Sequence, residues 1–190
     1  LRMVKDNLWK ELFGFDRRQP EGKIEQHHSN LAYAIQQVTE EILLKMAADG
    51  DFDVIIHGCN CFCTMGSGIA AQVAEQFPAA YEADKATVRG DIAKLGNYTK
   101  AEVNMFGGPV FTIVNAYTQY GYGGRLNGET DVDYNALLNV MRKINTDFAG
   151  KRVGYPLIGA GLAGGDWNII AEIIDQELVD VDHTLVEYIP

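Results

Sequence analysis

The chain has 190 residues, 47% of them hydrophobic and 22% charged, which suits one soluble domain with its own core and excludes a disordered chain. Lysine and arginine number 16 against 26 aspartates and glutamates, a formal net charge of −10. That balance argues against a nucleic-acid backbone as partner, because such affinity comes from clustered cations. A small anionic ligand stays open, since salt screens distant charge within roughly 8 Å.

Before Gly50 the chain is polar and charged. Phe15–His28 reads as loop. In Asn30–Met46 the apolar residues Leu31, Ile35, Val38, Ile42 and Met46 recur at helical spacing, with Ser29 as a candidate cap. Beyond Gly50 strands and helices alternate. Asp53–His57 is expected as a buried strand, Ile69–Phe77 as a helix ended by Pro78, and Ala79–Thr87 as a second helix. Val110–Asn115 is expected as a strand and Asp131–Phe148 as an amphipathic helix. Arg152–Ile158 is then a strand, Trp167–Leu178 a helix and Thr184–Tyr188 a closing strand. This alternation predicts an α/β fold, a three-layer α/β/α sandwich with a mixed, largely parallel sheet. No stretch is an apolar 20-mer and the N-terminus shows no secretory h-region.

Two glycine-bearing loops carry the chemistry. The first runs from His57 through Cys63 to Met65-Gly66-Ser67-Gly68-Ile69-Ala70; the second is Ile158-Gly159-Ala160-Gly161-Leu162-Ala163-Gly164-Gly165-Asp166. Each leaves a strand and enters a helix, where backbone N–H groups and the helix N-terminus attract anions. The bland alternative is that the glycines only make tight turns. Together the loops suit a ligand with more than one anionic group, such as a nucleoside diphosphate. Gly66–Ala71 also fits G-x-G-x-x-A and Gly159–Gly164 fits G-x-G-x-x-G, the signature of dinucleotide-binding dehydrogenases. The first lies ten residues beyond Ile56 rather than at the strand–helix turn, and the second leaves too little chain to complete the sheet. Cys59, Cys61 and Cys63 are too close together to staple the fold and read as reduced thiols. With His57 they invite a metal reading, but Asn60 and the glycines place the segment in a loop; no metal and no cofactor are expected.

These pieces in this order resemble a macrodomain, the ADP-ribose-binding module, over about residues 51–190. The carrying residues are Val54–Ile56, His57-Gly58-Cys59-Asn60, Met65–Ala70, Val114-Asn115-Ala116-Tyr117 and the Ile158–Trp167 loop. The branch it looks closest to processes ADP-ribose 1″-phosphate and includes bacteriophage members. The resemblance implies that Asn60 contacts the distal ribose and that Gly66, Ser67, Gly68, Ile69 and Ala70 wrap that ribose and the diphosphate. It implies Asn115 at the strand end, and Gly159, Ala160, Gly161, Leu162 and Ala163 as the second phosphate loop. Tyr188 would lie against adenine. His57 would handle protons, as imidazole titrates near neutrality, with Asp133 or Asp166 as a partner; Asp166 reads equally as a helix cap. Ala163 stands where a hydrolase branch acting on ADP-ribosylated acidic side chains has an acid, so that chemistry is not implied.

Residues 1–46 depart from the family pattern and read as an appendage to a macrodomain at 47–190. The usual opening strand with its adenine-reading Asp is missing just before Met46; Glu40 and Glu41 are the nearest acids, and Leu1–Leu12 with Asp6 is the other candidate. Leu12-Phe13-Gly14, Arg17–Gly22, Gln26–Ala32, Ile35-Gln36 and Thr39-Glu40-Glu41 resemble a fragment of a nodulation-type O-carbamoyltransferase. The resemblance as a whole implies an enzyme hydrolysing ADP-ribose 1″-phosphate, with a non-catalytic ADP-ribose reader or an ADP-ribosyl-protein hydrolase as alternatives; the reduced thiols read as those of a cytoplasmic protein. The expected partner is ADP-ribose or its 1″-phosphate, and neither nucleic acid nor membrane.

Overall fold

The computed structural model describes residues 10, 11, 14–16, 23, 25–105 and 107–187. Helix α1 (Gln26–Asp49) leads into strand β1 (Val54–Asn60), followed by helices α2 (Gly68–Gln76) and α3 (Pro78–Lys85). A short 3-10 helix (Ile92–Lys94) precedes β2 (Tyr98–Val103) and β3 (Phe111–Gln119). Then come α4 (Tyr134–Asp147), β4 (Arg152–Tyr155), α5 (Trp167–Glu177) and β5 (Asp182–Leu185).

The five strands form one sheet in the order β2-β3-β1-β4-β5. Strand β1 pairs in parallel with β3 and β4, β4 pairs in parallel with β5, and β2 closes the far edge antiparallel to β3. The expected mixed, largely parallel sheet is thus present. Both of its faces are covered, which is why the strand sequences are continuous apolar runs instead of alternating ones. Val54, Ile56 and Val114 point to α4 and α5, where Leu137, Met141 and Ile170 complete a core. Ile55, Ile113 and Phe111 point to the opposite layer, against Leu44, Val73 and Phe77.

Several boundaries differ from the sequence reading. Strand β1 continues through Asn60, so His57-Gly58-Cys59-Asn60 is strand and the loop placement of that segment is corrected: β3 supplies a partner for every one of these residues. A register irregularity at Cys59/Asn60 ends the ladder at the sheet rim. Strand β2 was not expected; before the buried Val103 its residues are exposed or half-buried and give it no apolar run. Helix α1 starts four residues before Asn30, with Glu25 rather than Ser29 at its N-cap, and ends on Gly50 in the left-handed conformation. Closing strand β5 ends at Leu185, and Tyr188 lies outside the described residues.

The last turns of α1 belong to the core: Leu43, Leu44 and Ala47 are buried beside Phe52 and Ile55. Among the described residues no helix is long and apolar enough to cross a membrane. Leu44→Ala is expected to lower the unfolding free energy by about 2–5 kcal/mol, the cost of a truncated leucine in a packed core, read as a shift in the urea midpoint. An unchanged midpoint would mean that α1 is not part of the packed structure.

Candidate functional site

The chain leaves β1 through α2 and α3 towards β3 on one side, and returns through α4 to β4 on the other. Connections that diverge from a central strand open a crevice outside the carboxyl ends of the strands. Both glycine loops lie there. Gly58 of β1 shows how closely: a Cβ on it would meet Ile158 Cγ2 at 3.3 Å and Gly159 N at 4.0 Å.

The loops share one cavity of about 350 Å³, lined by Gly66, Ser67 and Gly68 of the first and Leu162 of the second. Gln37 and Glu40 of α1 and Gln72 and Glu75 of α2 form the other wall. Ser67 occupies the N-cap of α2 but its side chain makes no cap hydrogen bond, so the first-turn N–H groups of Gly68, Ile69 and Ala70 are not covered by it. Gln72 Nε2 donates to Glu40 Oε2 at 2.9 Å, while Gln72 Oε1 is buried with no partner among the described residues.

The glycines divide into two kinds. Gly159, with φ at 74°, and Gly165 are required by packing: a Cβ on either would press on Val132 and Ile170. Gly66 and Gly161 face open space, with nothing within 4 Å of an added Cβ. Ala163 is buried, its carbonyl accepting from Asp131 N at 2.8 Å and Val132 N at 3.3 Å, so it anchors the second loop. Leu162 is 61% exposed and stands over the cavity.

His57 and Asn115 lie elsewhere. Both are fully buried, on neighbouring strands and in register, and neither lines the cavity. His57 Nε2 donates to Asn115 Oδ1 at 2.7 Å; Asn115 Nδ2 donates to Ala80 O and Thr99 Oγ1. Burial pushes the imidazole down to about 4, against the opposing pull of Asn115 and Asp84. Asp133 and Asp166 do not reach His57's role as partners: each caps a helix, accepting from Ala136 N and Asn168 N. Asn60 staples its own loop, donating to Thr64 O at 2.9 Å and accepting from Phe62 N at 2.8 Å. Glu41 is exposed, and Asp6 falls outside the described residues.

Sequence reasoning missed a buried polar cluster under the first loop. Asp84 of α3 pairs with Lys94 at 3.2 Å, both almost without solvent contact. Tyr117 donates to Asp84 at 2.7 Å, and burial pushes its hydroxyl far above the usual range. Its residues come from α3, a 3-10 helix and β3, with no spacing motif to join them.

No family model matches the chain. It is 38% identical over 141 residues to an uncharacterised 17.5 kDa protein of Enterobacteria phage T4, a match covering 72% of this chain and 86% of that one. It is 26% identical over 136 residues to a DNA ADP-ribosyl glycohydrolase of Mycobacterium tuberculosis; the match covers 70% of the chain but only 37% of that enzyme. Among solved structures, a protein of unknown function from Bacteroides thetaiotaomicron aligns with TM-score 0.58 at 25% identity, over 71% of this chain and 87% of that one. The macrodomain of M. tuberculosis DarG aligns with TM-score 0.56 at 23% identity, over 75% and 93%. The chain has the macrodomain fold.

The phage relative agrees with the phage-like branch of the sequence reading. The carbamoyltransferase resemblance of residues 1–46 is not borne out: the similar proteins are macrodomains and their relatives. In this macrodomain the C-terminal half of that segment is α1, a wall of the cavity and a part of the core.

His57 makes folding pH-dependent. Between its ordinary value near 6.5 and about 4, the unfolded chain binds a proton that the native chain does not. Stability is full above 6.5 and falls as pH drops, by up to about 1.4 kcal/mol per pH unit. Urea midpoints at pH 7.5 and 5 are expected to separate more in the native chain than in His57→Gln. Equal separations would show that His57 is not held neutral.

Proposed function

We propose that this macrodomain binds ADP-ribose in the crevice beyond β1 and β4, with the diphosphate against the first turn of α2 and the second glycine loop. The observation that carries this reading is that Gly66–Gly68 and Leu162, from two separate strand–helix units, line one cavity. Uncapped N–H groups at a helix start are donors for phosphate oxygens. Gly66 and Gly161 leave room for a ligand to approach the backbone. The unpartnered Gln72 Oε1 suits the hydroxyl or amino donors of a nucleoside. A structure of similar fold, Thermosipho africanus DarTG, was solved in complex with ADP-ribose; it aligns with TM-score 0.56 at 16% identity, over 74% of this chain and 40% of that one.

The finer reading is turnover: hydrolysis of ADP-ribose 1″-phosphate to ADP-ribose and phosphate. The mycobacterial relative, an ADP-ribosyl glycohydrolase, favours chemistry at the distal ribose over simple retention. In this reading preformed N–H donors of the loops stabilise charge on the transferred phosphoryl group. Asn60 shapes the loop on which the distal ribose rests. His57 holds β1 against β3 through Asn115 and has a positioning role, in place of the proton-handling role first expected of it.

Calorimetry with ADP-ribose is expected to give saturable binding. Gly161→Val is expected to leave the urea midpoint unchanged and to weaken binding at least tenfold, about 1.4 kcal/mol. Absence of heat at roughly millimolar ligand, where even about 4 kcal/mol of affinity is visible, would overturn the reading. Phosphate release from ADP-ribose 1″-phosphate separates turnover from a reader that only binds.

A further inference from the structure

Of the three cysteines, Cys59 and Cys61 are buried, and burial pushes both thiols up. Cys63 is half-exposed. Among the described residues it is the non-glycine residue with a left-handed backbone, φ 54°. Its sulfur lies 3.2 Å from Lys94 Nζ, 3.4 Å from Thr87 Oγ1 and 3.3 Å from the Asp84 carbonyl oxygen. Lys94 has almost no freedom to leave. Its ammonium donates to Asp84 Oδ1 at 3.2 Å and sits 4.4 Å from the centre of the Tyr117 ring. The thiol of a half-exposed residue is thus fixed beside an amine, with a carboxylate next to that amine to take its proton.

We propose that Cys63 and Lys94 are a peroxide-responsive pair that closes into a covalent S–O–N bridge. In the first step the Cys63 sulfur attacks hydrogen peroxide: the S–O bond forms, the O–O bond breaks, and one water leaves, giving the sulfenic acid. Lys94 passes its ammonium proton to Asp84 and becomes a neutral amine. A second peroxide then takes two electrons and two protons, one from the sulfenic O–H and one from the amine. The O–N bond forms and two waters leave. The product holds one oxygen more and two hydrogens fewer than the dithiothreitol-reduced chain, and a thiol reductant reverses it.

The bridge would fasten the segment between Asn60 and Gly66 to the 3-10 helix beyond α3, fixing the approach to the first glycine loop. The pair requires no nucleotide, so its test stands apart from the ADP-ribose reading. The whole chain is treated with hydrogen peroxide, and its intact mass and tryptic peptides are measured. The expected result is the gain of one oxygen with loss of two hydrogens, a cross-linked peptide containing Cys63 and Lys94, and its reversal by dithiothreitol. Cys63→Ser and Lys94→Arg, the second keeping a cation for Asp84, are expected to lack the cross-link. A sulfenic or sulfinic acid on Cys63 with Lys94 unlinked would overturn the proposal. So would a disulfide among the three cysteines, which loses two hydrogens and gains no oxygen, or the same cross-link in Cys63→Ser.

Discussion

The central strand β1 has a parallel neighbour on each side, β3 along its whole length and β4 at Val54 and Ile55. Helices cover both of its faces. Such a strand meets solvent only beyond its ends, and whatever chemistry it organises must lie there. The short reach of β4, which pairs only with Val54 and Ile55 of β1, lets the second glycine loop fold back over the rim beside Gly58. One pairing pattern therefore buries His57 and Asn115 in the interior and leaves the two glycine loops together outside.

Helix and strand existence was legible because the apolar periodicity after Gly50 is strong. The glycine loops were legible because their residues are contiguous and follow apolar runs directly. What stayed hidden depends on pairing. Nothing local says that Gly58, Cys59 and Asn60 remain in the sheet; that follows from β3 offering a partner to each. For the same reason a histidine next to a glycine looked like a rim residue, whereas register with Asn115 makes it an interior one. Strand β2 was hidden because an antiparallel edge strand with one wet face needs no apolar run. Asp84 and Lys94 are ten residues apart on different elements, and only the fold makes them a buried pair.

The buried polar groups around His57 and Asp84 share their partners. Asn115 serves His57, Ala80 and Thr99 at once, and Asp84 serves Lys94 and Tyr117. Removing one partner from such a pair leaves an uncompensated group in the interior, which is costlier than the pair is stabilising. The layer under the first loop is therefore specified by its polar residues as much as by its apolar ones.

Helix α1 supplies Gln37 and Glu40 to the cavity wall while its last turns, around Leu44, are anchored in the core. The helix is thus tethered at one end and in contact with the cavity midway along its length. Occupancy of the cavity and docking of this helix are thermodynamically linked: a molecule held there suppresses local opening of α1, and undocking α1 speeds that molecule's escape.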